Sequence, residues 1–197
     1  MDRSQFARCL ADAIISAVRE FRMCHPSESP YAFAIICDQR ARDLSFAIAT
    51  EQALRQTAAK YDELGYRYQG FAWQQVDNTE ELAVWLRWAN PDDGWIYGDF
   101  PPRIAATLSQ LGTDGAFGDE AEQLEEFYTD VLVSLATNLE WQQIQNSKPL
   151  VVGVTYGEDP RDFLRTATRC NPFNIVRELW AEMWRAEEHE SRITAPR

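Results

Sequence analysis

The chain has 197 residues, 45% of them hydrophobic and 25% charged, with a formal net charge of −12 at pH 7. That length and apolar content suit one folded domain, residues 1–197, with a proper core, and argue against disorder. The acidic balance argues against non-specific nucleic-acid binding, which needs a basic surface, and no window approaches the ~20 apolar residues of a membrane span.

The first 65 residues read as helix, hairpin, helix. Phe6, Leu10, Ile14 and Val18 recur every four residues, with Ile15 and Phe21 widening the stripe, and predict a helix from Asp2 to about Met23. Pro26 and Pro30 bracket a polar loop. Two apolar runs follow, Tyr31–Cys37 and Leu44–Ala49, around the polar hexapeptide Asp38–Asp43, the pattern of an antiparallel hairpin. Alternation puts Tyr31, Phe33, Ile35 and Cys37 on one face of the first strand and Ala32, Ala34 and Ile36 on the other. In the second strand Leu44, Phe46 and Ile48 oppose Ser45, Ala47 and Ala49. Each strand thus has a bulky face and a small face, and the small face admits a closely packed helix. Thr50 is a predicted N-cap, with Glu51 in a first turn that favours negative charge. Leu54, Ala58, Tyr61 and Leu64 form the stripe of that helix, and Gly65 suits its C′ position.

Residues 66–101 are crowded with aromatics. Tyr66–Trp73 reads as an irregular strand or an aromatic loop. Asn78 is a predicted cap, with Glu81 completing a capping box, before a short helix carrying Leu82, Trp85 and Leu86. Asn90-Pro91-Asp92-Asp93-Gly94 is turn chemistry. Trp73, Trp85, Trp88 and Trp95 are candidates for a ligand or partner contact. The competing reading is an aromatic satellite core, since tryptophan buries a large area.

Pro101-Pro102 opens a helix with Ile104, Leu108 and Leu111 inward and Gly112 as terminator. One long helix is predicted from Asp119 to about Gln143, on Leu124, Phe127, Val131, Leu135 and Leu139. Its first turns hold Asp119, Glu120, Glu122, Glu125 and Glu126, candidates for contact with a basic partner, although the helix dipole by itself favours acids there. Leu150, Val152, Val154 and Tyr156 alternate with Val151, Gly153 and Thr155, predicting a third strand. Asp159-Pro160 and Asn171-Pro172 each read as a cap followed by proline. The first starts a short helix with Phe163 and Leu164. The second starts a last helix with Ile175, Val176, Leu179, Trp180, Met183 and Trp184 inward, and a polar tail frays from about residue 187.

The expected fold is therefore α+β: a small, mainly antiparallel sheet, with strands near 31–37, 44–49 and 150–156, covered by helices. The chemistry is sparse. There are two histidines, His25 and His189, and neither HExxH, GxSxG nor a phosphate loop. Cys9, Cys24, Cys37 and Cys170 are scattered without a CxxC, which predicts free thiols in a reducing cytoplasm. The start, Met1-Asp2-Arg3-Ser4-Gln5, lacks the pattern of a secretory signal. Asp38, Asp43 and Asp159 lie near predicted strand ends, where carboxylate chemistry is conceivable but turn formation is the commoner role. No catalytic residue, metal or cofactor is expected.

Several stretches together resemble one family. They are the strand Tyr31–Ile35, Thr50-Glu51, the run Leu86–Phe100 with Arg87-Trp88 and Trp95, a long helix, an apolar strand followed by an aspartate, and Asn171-Pro172. Over roughly residues 3–175 the chain is similar to the bacterial domain of unknown function numbered 4303. The resemblance implies a fold and a bacterial cytoplasmic setting, and no activity. The leading expectation is a non-catalytic protein-binding module, of the antitoxin or immunity kind, with a basic protein partner and no contact with nucleic acid or membrane. The alternatives are a carboxylate-dependent hydrolase, a small-ligand binder with an aromatic pocket, and a structural or regulatory homo-oligomer.

Overall fold

The computed structural model describes residues 2–37, 43–70, 77–89, 94–113, 121–147, 149–155 and 160–196. In chain order its elements are α1 (Arg3–Cys24), β1 (Pro30–Cys37), β2 (Leu44–Thr50), α2 (Glu51–Glu63), β3 (Arg67–Tyr68), α3 (Asn78–Leu86), β4 (Trp95–Asp99), α4 (Pro102–Thr113), α5 (Ala121–Leu135), α6 (Leu139–Ser147), β5 (Val151–Thr155), α7 (Pro160–Cys170), α8 (Phe173–Glu190) and β6 (Ile193–Thr194). The fold is α+β. Four strands form one sheet in the order β4-β2-β1-β5, and β3 pairs with β6 in a second, two-stranded sheet.

The predicted hairpin forms, with Phe33 opposite Ile48 and Ile35 opposite Phe46. The third predicted strand, β5, runs parallel to β1, placing Ala34 beside Gly153. The sheet stays mainly antiparallel because a strand not expected from the sequence, β4, lies antiparallel to β2. Tyr31 departs from the predicted alternation. The ladder is irregular between Pro30 and Ala32, and Tyr31 packs with the small-face cluster rather than with Phe33 and Ile35. A bulge at a strand start re-aims one side chain in this way.

The bulky face carries Phe33, Ile35, Cys37, Ile48, Val152 and Val154. It is buried under the apolar stripes of α1, α4, α5 and α6, with Phe6, Leu10, Ile104, Tyr128 and Trp141 among the covering side chains. The small face carries Ala32, Ala34, Ala47 and Ala49, and meets Trp88, Trp95, Phe163, Ala167, Leu179 and Met183. A glycine is needed on β5 here: a Cβ on Gly153 would stand 2.8 Å from the Phe163 ring. A third cluster joins α2 to α3 through Leu54, Ala58, Leu82 and Leu86.

Several helix ends match the sequence. Thr50 is fully buried and accepts from the Ala53 amide at 3.0 Å. Gly65, at φ 94°, closes α2. Its amide donates to Asp62 O, the Tyr66 amide donates to Tyr61 O, and the two tyrosine rings meet at 4.7 Å. This is the hydrogen-bond pair and side-chain contact of a Schellman motif.

Other ends differ. The cap of α3 is Asp77, which accepts from the Thr79 amide, while Asn78 turns back to accept from Tyr68 N and donate to Tyr66 O. The long helix is broken in two, because Asn138 accepts from the amides of Glu140 and Trp141 and so starts α6. Leu139, expected inside, is 76% exposed. The C-terminal tail does not leave the body at residue 187: α8 continues to Glu190, and Ile193–Thr194 pairs with Arg67–Tyr68.

Candidate functional site: the groove between α7 and α8

Helix α7 lies along the outer edge of β5 and supplies the pairing that a further strand would have given. Thr166 Oγ1 accepts from Val154 N at 2.8 Å and donates to Val154 O at 2.9 Å. Asn171 accepts from Val152 N at 3.0 Å and donates to Val152 O at 2.7 Å. Gln145, from α6, treats Leu150 the same way, at 2.7 and 3.0 Å. Asn171 is thus spent on the strand, and α8 begins behind Pro172 without a side-chain cap.

Trp85, Trp88 and Trp95, the three of the four predicted tryptophans that are described, do not converge on one opening. Trp73 lies outside the described residues. Trp85 is half-buried against Tyr61 and Tyr66, at 5.8 and 6.3 Å between rings. Trp88 and Trp95 are buried and hold Phe163 between them, at 5.9 and 5.7 Å. Trp88 also donates its indole N–H to Glu182 at 3.2 Å.

Beside Trp88 is a compact ion network. Arg87 donates to both oxygens of Glu51, at 3.0 and 2.5 Å, and its Nε lies 3.3 Å from Glu182. Its guanidinium sits 4.3 Å over the Tyr31 ring, and Tyr31 donates its hydroxyl to Arg87 O at 3.0 Å. Burial pulls the Arg87 pKa down, but the hydrogen bonds and charges of Glu51 and Glu182 outweigh it and leave it raised. Burial, partly opposed by Arg87, raises the Tyr31 phenol. Both groups are therefore locked in their ordinary charge states.

Two of the five acids in the predicted cluster are paired from within. Asp119 and Glu120 lie outside the described residues, and Glu122 is exposed. Glu125 is buried and forms a two-point ion pair with Arg165. Glu126 binds Arg169 at 2.5 and 2.6 Å, and that hydrogen bonding holds its carboxyl below the ordinary range. These pairs strap α5 to α7.

Among the described residues, one open feature is a groove of about 580 Å³ between α7 and α8. Asp162, Leu164, Arg165 and Thr168 form one wall, and Trp180, Met183, Trp184 and Glu187 the other. Leu164 and Met183 are buried and make the floor, whereas Trp180 is 42% and Trp184 64% exposed. The geometry of α8 explains the difference. Its buried face is Val176, Leu179, Met183 and Ala186. At about 100° per residue, Trp180 and Trp184 sit one step round from Leu179 and Met183, at the rim of the core. Periodicity places both inward only if an apolar arc of about 180° on α8 is taken as one buried face. That breadth is itself the signal in the sequence, since about 100° suffices for a core-facing stripe.

A mixed, mainly antiparallel sheet clad in helices, with a tryptophan-rimmed groove on its surface, makes this an α+β protein. Among the described residues no group of three or more His, Cys, Asp or Glu side chains is placed to hold a metal ion, and no helix is long and apolar enough to cross a membrane. The chain belongs to the family described as a domain of unknown function, DUF4303, whose family model matches residues 10–172. No curated protein and no solved structure matches the chain. The family span includes α7 but stops one residue before α8, so the tryptophan wall of the groove falls beyond it.

Proposed function

We propose that the protein is a non-catalytic protein-binding module of the bacterial cytoplasm, and that its contact surface is the groove between α7 and α8. One observation carries the reading: Trp180 and Trp184 stand together, well exposed, over the apolar floor of Leu164 and Met183, with Asp162, Arg165 and Glu187 at the rim. Tryptophan is enriched among the residues that dominate binding energy, and an apolar centre with a polar rim is the usual anatomy of a protein–protein contact. The non-catalytic part rests on the sequence, which carries neither HExxH nor GxSxG. The compartment rests on the free thiols of Cys9, Cys24 and Cys170, which fit a reducing environment. With a chain charge of −12, a partner other than the chain itself is expected to be basic.

The test is site-specific photocrosslinking in the native cell. A photoreactive phenylalanine analogue replaces Trp184 in one strain and Leu139, which is also exposed and apolar, in another. Discrete protein adducts from position 184 alone support the groove. Equal smears from both positions, or no adduct from position 184, refute it.

A further inference from the structure

Given that the groove between α7 and α8 is a contact surface, on which this inference rests, α8 also defines the occupant. We infer that the occupant is a second copy of this chain, its α8 lying antiparallel against the first about a two-fold axis.

The order of side chains along α8 points to this pairing. Phe173, Arg177, Trp180, Trp184 and Glu187 follow one another at intervals of four, three, four and three residues. These spacings keep all five within a narrow stripe. Each is exposed, Phe173 at 81%. Arg177 and Glu187 form no ion pair among the described residues.

The inner four residues read symmetrically: Arg177, three on to Trp180, four on to Trp184, three on to Glu187. Two such helices laid antiparallel, with the axis at the level of residue 182, bring Arg177 of each opposite Glu187 of the other. Trp180 then meets Trp184 twice. A parallel pairing would instead set Arg177 against Arg177 and Glu187 against Glu187, which is repulsive. Charge complementarity of this kind suppresses wrong registers and wrong orientations. A closed two-fold contact must be complementary to itself, and this stripe is.

Size sets the expected strength. At 150–250 Å² for each aromatic side chain, the exposed parts of four tryptophans amount to roughly 300–500 Å². A specific interface buries upward of about 1,200 Å² in total. Phe173 and the α7 wall must supply the rest, so the dimer is expected to dissociate on dilution. The chain charge of −12 adds a repulsive background, which physiological salt confines to groups within about 8 Å of one another.

Sedimentation equilibrium over a range of concentrations tests the inference. The wild type is expected to approach twice 22.7 kDa as concentration rises. W180A, R177E and E187R are each expected to weaken the dimer tenfold or more, with unchanged circular dichroism because all three sites are exposed. The double variant R177E/E187R swaps the charges and should regain most of the lost affinity, which a change in net charge alone would not do. A wild type that stays at 22.7 kDa up to its solubility limit overturns the inference. So does a dimer unaffected by W180A, or a double variant no tighter than the singles. If the protein is monomeric and position 184 still crosslinks to another protein, the second copy is refuted while the groove reading stands. If position 184 yields no adduct, both fall.

Discussion

Replacing Thr166 with valine tests the clamp on the sheet edge with almost no change of shape. Thr166 is buried, and its hydroxyl takes the N–H of Val154 and reaches Val154 O, Phe163 O and Asp162 O at 2.9–3.2 Å. Valine fills the same volume and leaves the Val154 N–H buried without a partner. An orphaned buried group costs about 1–3 kcal/mol, and loss of the bond to the Val154 carbonyl adds to that. The expected loss for T166V is about 2–3 kcal/mol. At about 2–4 °C per kcal/mol for a chain of this size, Tm should fall by about 5–10 °C. T166S keeps the hydroxyl and deletes one methyl, at a cost of about 1 kcal/mol. Urea titration and thermal melts of both variants decide the matter. If Thr166 served only to fill space, the order would reverse, with valine tolerated and serine harmful. That reversed order, or a T166V within about 0.5 kcal/mol of wild type, the range of an ordinary surface change, refutes the clamp.

Two further predictions concern packing and pH. A Cβ on Gly98 would stand 2.4 Å from Cζ of Phe46, so G98A should cost about 1–3 kcal/mol by overpacking, and F46L in the same chain should recover part of that in a urea titration. Burial raises the Cys170 thiol from 9.0 to about 12, against a smaller opposing effect of Arg169. The native state therefore keeps a proton that the unfolded chain loses, and the stabilisation is complete below about pH 9 and lost as pH rises toward 12. Wild type should lose more stability than C170A between about pH 8 and 11, and iodoacetamide should label the exposed Cys24 while sparing Cys170 until the protein unfolds.

What could be read in advance was whatever depends on neighbours in sequence. The two faces of the hairpin, the Thr50 cap and the Gly65 terminator follow from alternation, a side-chain oxygen and a positive φ, and each is local. The misses have equally definite causes. Strand β4 is a five-residue edge strand holding a glycine, Gly98, under the Phe46 ring, so its pattern is faint. The break at Asn138 hid inside a periodicity that runs on from Leu135 to Leu139. Strand β6 is two residues long and exists only because β3 is there to meet it. The acids of α5 were legible as a cluster, but Arg165 and Arg169 lie 40 and 43 residues away in the chain from their partners, and no spacing rule connects them.

The orientation of α8 joins the family scaffold to the groove. Tyr31, Glu51, Arg87 and Trp88, all among the residues that carried the family resemblance, meet in one internal network, and that network ends on Glu182 of α8. Further along α8, His189 stacks on Tyr68 at 4.6 Å. Glu182 is two residues from both Trp180 and Trp184, and two residues turn a helix by about 200°. A helix held by Glu182 on its α3 side must present both tryptophans on its α7 side. Their exposure follows from a rotation fixed on the far side of α8. An apolar pair that could turn inward at little cost would be a packing accident, whereas here turning it inward requires breaking the bonds from Arg87 and Trp88 to Glu182. E182A should therefore blue-shift the tryptophan emission as α8 relaxes and weaken any groove contact, while W180A leaves the Arg87 network intact. An E182A protein with wild-type emission and wild-type association would show that the core face of α8 alone sets its rotation.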